Sequence, residues 1–247
     1  RVVLLDLGDL ESVERCVEEV ETILKEEKGG AKLDVVVLNA AVVPAKSSLT
    51  KQGFELSFGV NYLGHVHLTQ LLLAKQLVKE RKGEEGKVIF VVSEMHKMAS
   101  SLLTEDIGCV KEFDGASGSL ERYAHSKICL ATYAVDLSEQ LKRIGSFVKV
   151  LLYDPGPVNT DIARDSPEWL KPILGFLMEY TFKTPEASAL PVSYFALAPA
   201  SSLLDAQYLL YWGEEELAEE SWRDEERRKL REETERLLEN GAPFRKC

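Results

Sequence analysis

The stretch KVIFVVS, residues 87–93, decides the fold class. Five consecutive β-branched or aromatic residues, 88–92, precede Ser93. Such a run is typical of a strand buried on both faces of a parallel sheet. Similar runs lie on either side, separated by longer segments of helical spacing. The predicted strands are residues 1–5, 34–38, 87–92 and 147–153, and the predicted helices are residues 12–27, 51–81, 121–143, 184–198 and 214–239. This alternation predicts an α/β fold with a Rossmann-like, doubly wound parallel sheet.

Length and composition indicate one domain over residues 1–247. Hydrophobic residues make up 45% of the chain and charged residues 29%, and the net charge is -11. This acidity argues against a nucleic-acid or anionic membrane surface as a partner, because those partners require clustered Lys and Arg. Residues 96–120 are predicted to form a long loop. The charged helix at residues 214–239 is predicted to be a solvated surface helix, with pairs such as Glu225 and Lys229.

The cysteines indicate a reducing compartment. They are spread along the chain and form neither a CxxC pair nor a cluster with histidine, so no metal site is predicted. They are Cys16, Cys109, Cys129 and Cys247. No apolar run approaches the roughly 18 residues that cross a bilayer, and no leader pattern opens the chain. We therefore expect a cytoplasmic protein, although the chain begins at Arg1, so a preceding anchor or targeting segment could be missing.

Tyr123 and Lys127 are the first candidates for chemistry. They lie four residues apart on a predicted helix, so their side chains share one face. An adjacent ammonium stabilises a phenolate, so we expect Lys127 to lower the pKa of Tyr123 and let it exchange a proton with a substrate oxygen. The spacing alone is weak, because a Tyr-x-x-x-Lys occurs by chance in a chain of this composition with a probability of about one in three.

Other polar residues at the predicted sheet edge strengthen this interpretation. Ser93 follows a buried strand at the carboxyl edge, where open α/β sheets bind ligands, although a serine there is more often a helix cap. Asn61 lies inside a predicted helix, where it could instead mark a kink or a satisfied polar residue. Residues 39–41, Asn-Ala-Ala, follow the strand at 34–38 and could be a plain junction.

These motifs together resemble the short-chain dehydrogenase/reductase family, and within it the retinol dehydrogenase-like and WW-domain-containing oxidoreductase-like subgroup. They follow the family's order and cover nearly the whole chain. They are LDL at 5–7, LNAA at 38–41, GFE at 53–55 with GVNYLGH at 59–65, VVS at 91–93, YAHSK at 123–127 and PGPVNT at 155–160. The family implies NADP or NAD as cofactor, with NADP slightly favoured by the subgroup.

The resemblance also implies a role for each site residue. Tyr123 would be the proton donor, Lys127 would assist it and bind the nicotinamide ribose, Ser93 would orient the substrate carbonyl, and Asn61 would steady Lys127 through a water. Other residues would contact the cofactor: Asp6 and Leu7 the adenine, Asn39, Ala40 and Ala41 the adenosine ribose, and Pro155, Gly156, Val158 and Thr160 the nicotinamide end.

The sequence departs from the family at its beginning. The family's first two strands and its Gly-rich phosphate loop are not found, and no Gly-x-x-x-Gly-x-Gly occurs in the chain. The strands at 1–5 and 34–38 would then stand about 14 Å apart, at about 4.8 Å per strand. We therefore expect a fragment about 50 residues short, and if it is the whole protein, a compromised fold and poor cofactor affinity. Ala41 replaces a usual Gly, and Leu38 a usual Asn.

The resemblance favours an NAD(P)-dependent enzyme that interconverts an alcohol and a carbonyl on a small apolar substrate, such as a retinoid, steroid or lipid aldehyde. It also implies a possible homo-oligomer. Two alternatives stay open. A nucleotide-sugar epimerase shares the Tyr-x-x-x-Lys unit, although the short C-terminal region and the turn at 155–160 count against it. A non-catalytic binding or scaffold protein would explain the missing phosphate loop, but not the presence of Ser93, Tyr123, Lys127 and Asn61 together.

Overall fold

A five-stranded sheet forms the centre of the fold. The computed structural model describes residues 1–27, 30–99, 107, 115–156, 184–210 and 213–240, without the side chains of Ala116, Glu220 and Trp222. The strand order is β1-β4-β5-β6-β7, and all pairs are parallel except β6 with β7. A short hairpin, β2 with β3, lies apart from the sheet. The strands are β1 Val35–Leu38, β2 Glu80–Arg81, β3 Glu84–Glu85, β4 Lys87–Val91, β5 Lys149–Asp154, β6 Gln207–Leu210 and β7 Gly213–Glu214.

Apolar side chains cover both faces of the sheet, as the unbroken apolar runs predict. Alternate residues of β4 and β5 point to opposite faces, so Phe90 and Leu152 belong to a large core, while Ile89 and Leu151 belong to a smaller one with Phe195. The predicted doubly wound α/β fold is therefore confirmed.

Among the described residues, each of the five predicted helical segments contains a helix, and the bounds agree to within two residues for the segments at 12–27 and 184–198. They are α1 Leu10–Glu26, α2 Leu56–Phe58, α3 Gly64–Ala74, α4 Gly115–Arg143, α5 Pro185–Leu197 and α6 Asp224–Asn240. Asp9 caps the N-terminus of α1, and its carboxylate accepts the amide N–H of Glu11 at 3.1 Å. Thr184 caps the N-terminus of α5, which has a proline in its first turn, as the sequence predicts.

The predicted helix at 51–81 is shorter and less regular than expected. α2 continues through a π-helical turn, Gly59–Leu63, directly into α3, which ends at Ala74. Residues beyond it form the β2–β3 hairpin instead, because Gly83 with φ 86° reverses the chain. The π-helical turn places Asn61 at its centre, and single π-turns inside helices are frequent at functional sites.

The predicted strand at 1–5 is wrong. This segment pairs with no strand in the described part of the chain, and four of its five residues are exposed, Val2 to 89% and Leu4 to 87%. A strand needs a neighbour to satisfy its amide and carbonyl groups, and β1 lies at the sheet's edge. The sequence predicts that residues 1–5 stand apart from the strand at 34–38. The segment therefore has no strand partner among the described residues and forms no strand.

The C-terminal helix also differs from its prediction. It begins at Asp224, because residues 213–214 pair with β6 and residues 219–222 form a 3-10 turn. α6 is docked rather than solvated: Leu230 and Leu237 are buried in the main core, and Arg231 bonds the carboxylate of Asp136 on α4 at 2.7 Å. Apolar residues spaced by seven therefore attach this charged helix to α4.

The remaining differences concern element ends. The predicted loop at 96–120 contains a 3-10 helix, Glu94–Met98, at its start and the first turns of α4 at its end, while most of its middle lies outside the described residues. β6 and β7 have no counterpart among the predicted strands. Across the residues that the structure describes, no helix combines the length and apolar character needed to cross a bilayer.

Candidate active site

Ser93 lies at the carboxyl edge of the sheet, two residues after β4. It caps the 3-10 helix Glu94–Met98, and its hydroxyl oxygen accepts the amide N–H of Met95 at 3.4 Å. The same hydroxyl is hydrogen-bonded to Tyr123. Ser93 therefore caps a helix, which is the commoner role of a serine after a strand, and it also faces the candidate proton donor.

Tyr123 and Lys127 come together on one face of α4. The Lys127 Nζ lies 5.6 Å from the centroid of the Tyr123 ring and donates a hydrogen bond of 2.8 Å to the carbonyl of Val91, the last residue of β4. The lysine is only 2% exposed. Its ammonium therefore links α4 to the edge of the sheet, directly beside Ser93.

The pKa of Tyr123 contradicts the expectation from sequence. Burial raises it to about 12, the hydrogen bond to Ser93 acts in the opposite direction, and the negative charge of Asp154 adds to the rise. Burial also lowers the pKa of Lys127 to about 8, against the effect of Asp154. The pKa of Tyr123 is therefore raised overall, because burial outweighs the influences that lower it.

Asn61 connects the π-helical turn to α4. Its side chain forms two bonds with the backbone of Val42, accepting the N–H at 2.8 Å and donating to the C=O at 2.9 Å. It also donates to the hydroxyl of Ser126 at 3.1 Å, and Ser126 in turn donates to the carbonyl of Tyr123 at 2.7 Å. Asn61 thus holds the turn of α4 that carries Tyr123 and Lys127. We call Ser93, Asn61, Tyr123 and Lys127 the central cluster.

The residues expected to contact the adenosine end form a second group, which we call the β1 edge: Asp6, Leu7, Asn39, Ala40 and Ala41. Asp6, Asn39 and Ala40 are exposed, and Ala41 is half-buried. Leu7 is buried against Gly64, where a β-carbon would stand 2.4 Å from the Leu7 carbonyl oxygen. The glycine therefore lets residues 6–8 lie against α3.

Pro155 and Gly156 follow β5 at the same edge as Ser93. Gly156 has φ 64°, in the left-handed region that glycine favours, and its amide donates to the carboxylate of Asp154 at 2.6 Å. Both residues are half-buried. Val158 and Thr160, predicted to contact the nicotinamide end, lie outside the described residues.

The sequence alone did not single out two buried histidines beside these groups. The Nε2–H of His65 donates to the Ala40 carbonyl at 2.8 Å, and burial lowers its pKa to about 4. His96 bonds the Ser93 carbonyl through Nδ1 at 2.6 Å and accepts the N–H of Ala218 at Nε2 at 3.1 Å. Histidine at the end of a strand or inside a helix carries no sequence signal that separates such roles from ordinary burial.

The residues present fit one end of an NADP or NAD molecule. A lysine ammonium and two hydroxyls at the carboxyl edge suit a nicotinamide ribose and a reacting carbonyl. Asn39 and Ala40 are exposed directly after β1, so they are accessible to a nucleoside. The chain's residues contain no Gly-x-x-x-Gly-x-Gly to hold a pyrophosphate. The fit is therefore to the nicotinamide half.

The chain is similar in sequence to known proteins. Residues 1–104 match the family model described as short chain dehydrogenase. Mouse retinol dehydrogenase 13 is 31% identical over 250 residues, covering 98% of this chain and 70% of that protein. Mouse polyprenol dehydrogenase is 32% identical over 205 residues, covering 83% of this chain and 58% of that protein. The chain thus spans a little more than half to about two thirds of such relatives.

Solved structures share the fold. An uncharacterized protein from Mycobacterium Paratuberculosis has a TM-score of 0.67 at 22% identity, covering 97% of this chain and 76% of that one. The angucycline C-6 ketoreductase LanV, solved with bound NADP, has a TM-score of 0.60 at 23% identity, covering 84% of this chain and 72% of that one. Together with the identity to retinol dehydrogenase 13, the buried parallel sheet and the order of the motifs, these likenesses mean that the chain belongs to the short-chain dehydrogenase/reductase family, NAD(P)-dependent oxidoreductases that act on CH–OH groups.

Proposed function

We propose that this protein interconverts an alcohol and a carbonyl with NADP or NAD, and that the central cluster carries the proton transfer. One observation carries the proposal: the Tyr123 hydroxyl is hydrogen-bonded to Ser93 while the Lys127 ammonium lies 5.6 Å from the Tyr123 ring, all at the carboxyl edge of a parallel sheet. Two hydroxyls and an ammonium that converge there can polarise a carbonyl and protonate its oxygen.

In the reducing direction Tyr123 is the general acid. Its pKa of about 12 keeps the phenol protonated at neutral pH, so it holds a proton that it can donate to the developing alkoxide. Ser93 donates a hydrogen bond to the same oxygen and fixes its position. The bound cofactor supplies the hydride. In the oxidising direction the proton returns to Tyr123.

Lys127 and Asn61 prepare the tyrosine. With a pKa of about 8, Lys127 is mostly an ammonium at neutral pH, and its positive charge stabilises the phenolate that remains after proton donation. Asn61 keeps the first turns of this part of α4 in place through Ser126. Positioning of this kind lowers the entropic barrier without any contact to the substrate.

The proposed substrate is an apolar alcohol or aldehyde. The support is the names of two similar proteins, retinol dehydrogenase 13 and polyprenol dehydrogenase, because each name specifies a long apolar alcohol. NADP is favoured over NAD, since LanV and a chicken carbonyl reductase of similar fold were solved with NADP and NADPH. We further propose that the β1 edge, Pro155, Gly156, Val158 and Thr160 contact the cofactor.

The proposed location is a reducing compartment such as the cytoplasm. Cys16 and Cys129 are buried, unbridged thiols, which persist in such compartments. Assembly into a homo-oligomer stays a prediction, and light scattering coupled to gel filtration would measure it.

The test is NADPH oxidation by the full-length protein with long-chain apolar aldehydes and short polar ones, comparing wild type with Tyr123→Phe. We expect the variant to lose activity by about 100-fold or more, because general acid catalysis contributes on that scale. The matched control is Tyr133→Phe. Tyr133 is also buried on α4, and its hydroxyl has no hydrogen-bond partner among the described residues.

Each outcome has a distinct meaning. Loss of activity in Tyr123→Phe with retention in Tyr133→Phe supports the assignment. Equal rates for wild type and Tyr123→Phe would exclude Tyr123 as the proton donor. Binding of a cofactor without turnover of any aldehyde would favour the non-catalytic alternative. Faster turnover of the short polar aldehydes would contradict the apolar preference.

A further inference from the structure

A buried carboxylate, Asp154, lies beneath the central cluster and is not part of the proton transfer proposed above. It is the last residue of β5 and only 1% exposed. Its carboxylate accepts hydrogen bonds from the Gly156 amide at 2.6 Å, from the Tyr208 hydroxyl at 3.3 Å and from the Glu94 amide. Both oxygens act as acceptors, which suits the ionised form of the group.

The three donors belong to three different segments that build the site. Glu94 directly follows Ser93, Gly156 lies in the turn after β5, and Tyr208 belongs to β6. A single carboxylate therefore joins the Ser93 turn to the Gly156 turn. Hydrogen bonds to an ionised acceptor are about twice as strong as neutral ones, so these backbone positions depend on the charge of Asp154.

The charged and titratable groups around Asp154 make its effect directional. From α4, Tyr123 and Lys127 both respond to its negative charge, which raises both pKa values. From the 3-10 helix and β6, Glu94 and Tyr208 face it as well, and Glu94 adds to the rise of the pKa of Asp154 that burial causes. Among these neighbours Lys127 is the cation, and burial destabilises that cation.

We propose that Asp154 is a positioning residue of the site, which holds the Ser93 and Gly156 turns together and supplies the negative charge that keeps buried Lys127 an ammonium. This inference rests on the proposed function for its catalytic consequence. Its electrostatic part rests on the position of Asp154 directly after Tyr153, the register partner of Val91, whose carbonyl accepts the Lys127 hydrogen bond. The two parts can therefore be tested separately.

The electrostatic part is tested by Asp154→Asn, which keeps the size of the side chain and one acceptor oxygen while removing the charge. The protein is labelled with ¹³Cε-lysine and titrated by NMR, and the Lys127 signal is assigned by its loss in Lys127→Arg. We expect the pKa of Lys127, about 8 in wild type, to fall by about 1 pH unit, because an anion near an ammonium stabilises it by that order.

Asp205→Asn is the matched control. Asp205 precedes β6 and pairs with Lys149 at 2.7 Å, with 40% of its side chain exposed. This variant also removes one negative charge, so we expect the Lys127 titration to stay where it is in wild type. An equal fall in both variants would indicate a general charge effect and overturn the assignment.

The catalytic part is tested by the pH profile of NADPH oxidation. Because the ammonium form of Lys127 is required, activity falls on the alkaline side, and we expect this limb to move to lower pH in Asp154→Asn by the same amount as the NMR titration. A merely structural role would reduce activity equally at every pH. A lower rate with an unmoved limb therefore contradicts the proposal.

The experiments distinguish failure of the proposed function from failure of the proposed role of Asp154. If wild type oxidises no NADPH with any aldehyde, the proposed function fails, while the NMR titration still decides the role of Asp154. An unchanged Lys127 pKa in folded Asp154→Asn overturns the inference whatever the activity. If circular dichroism shows that Asp154→Asn is unfolded, the same titration is made with Asp154→Ser, which is smaller and retains an acceptor for the Gly156 amide.

Discussion

The central cluster and the β1 edge differ in how the fold holds them. Lys127 and Asn61 are fully buried, and each donates hydrogen bonds across elements, to Val91 on β4 and to Ser126 on α4. At the β1 edge, Asp6 and Asn39 are exposed, and the Asp6 carboxylate bonds only the nearby Gly8 amide among the described residues. The central cluster is buried and fixed by long-range contacts, while the side chains of Asp6 and Asn39 at the β1 edge are exposed.

This difference in burial follows from the positions of the strands, because interior strands support the central cluster and an edge strand supports the β1 edge. Strands β4 and β5 each have a neighbouring strand on both sides, so the turns that follow them start from strands that are hydrogen-bonded along both edges. β1 has one neighbour, and the segment before α1 pairs with no strand in the described ranges. We therefore expect substitutions at the centre to change stability and pH behaviour strongly, and those in the exposed segment to change little.

The largest contrast is expected between two leucines. Leu38, at the end of β1, is 2% exposed, while Leu4 in the first segment is 87% exposed. Leu38→Ala should lower the free energy of unfolding by about 2–5 kcal/mol, because it leaves a cavity in the core. Leu4→Ala should change it by less than about 0.5 kcal/mol. Urea unfolding followed by circular dichroism measures both. A loss for Leu4→Ala as large as for Leu38→Ala would show that the first segment is packed in solution.

A pH effect is expected at His65, which connects the two regions through its bond to Ala40 and its proximity to Lys127. Burial lowers its pKa from 6.5 to about 4 in the folded state. The unfolded chain therefore binds a proton that the folded chain does not, and stability is lost as the pH falls from 6.5 towards 4. The loss amounts to about 3 kcal/mol.

Urea unfolding at pH 7.5 and at pH 4.5 would measure this loss. In His65→Gln the loss should be smaller, but it should not vanish, because burial lowers the pKa of His96 as well. An identical pH dependence in wild type and His65→Gln would be inconsistent with a neutral, buried His65.

The smallest effect is expected where the first segment touches α3. In Gly64→Ala the new β-carbon would stand 2.4 Å from the Leu7 carbonyl, so residues 6–8 must move. We expect a loss of about 1–3 kcal/mol from this overpacking, reduced by the better helix propensity of alanine. Gly213→Ala is the control, since among the described residues its β-carbon would meet nothing nearer than the Leu210 carbonyl at 3.6 Å. Equal thermal midpoints for the two variants would show that the contact with Leu7 is not maintained.

Much of the central cluster could be predicted from sequence because its signals are local. The apolar run before Ser93 predicts a buried strand, and the four-residue spacing of Tyr123 and Lys127 places both on one helix face. The strand predicted at 1–5 failed for the opposite reason: its apolar residues have the right pattern, but a strand forms only with a partner, and pairing is not a local property.

Other features of the site had no local signal. Asp154 looks like an ordinary turn residue before Pro155, and only the arrangement of β4, β5 and β6 brings the Glu94, Gly156 and Tyr208 donors to it. The docking of α6 through Arg231 and Asp136 joins residues 95 positions apart. The π-helical turn at Asn61 likewise departs from the regular helix that the apolar spacing predicts.

The sequence by itself determined the alternation of strands and helices, the doubly wound fold and the identity of the residues at the carboxyl edge, because side-chain periodicity and polarity act over a few residues. The tertiary structure decided how those residues behave. Burial raises the pKa of Tyr123 and lowers that of Lys127, although adjacency alone predicts a lowered tyrosine pKa. Desolvation depends on every element packed around a group, and so no local pattern can specify it.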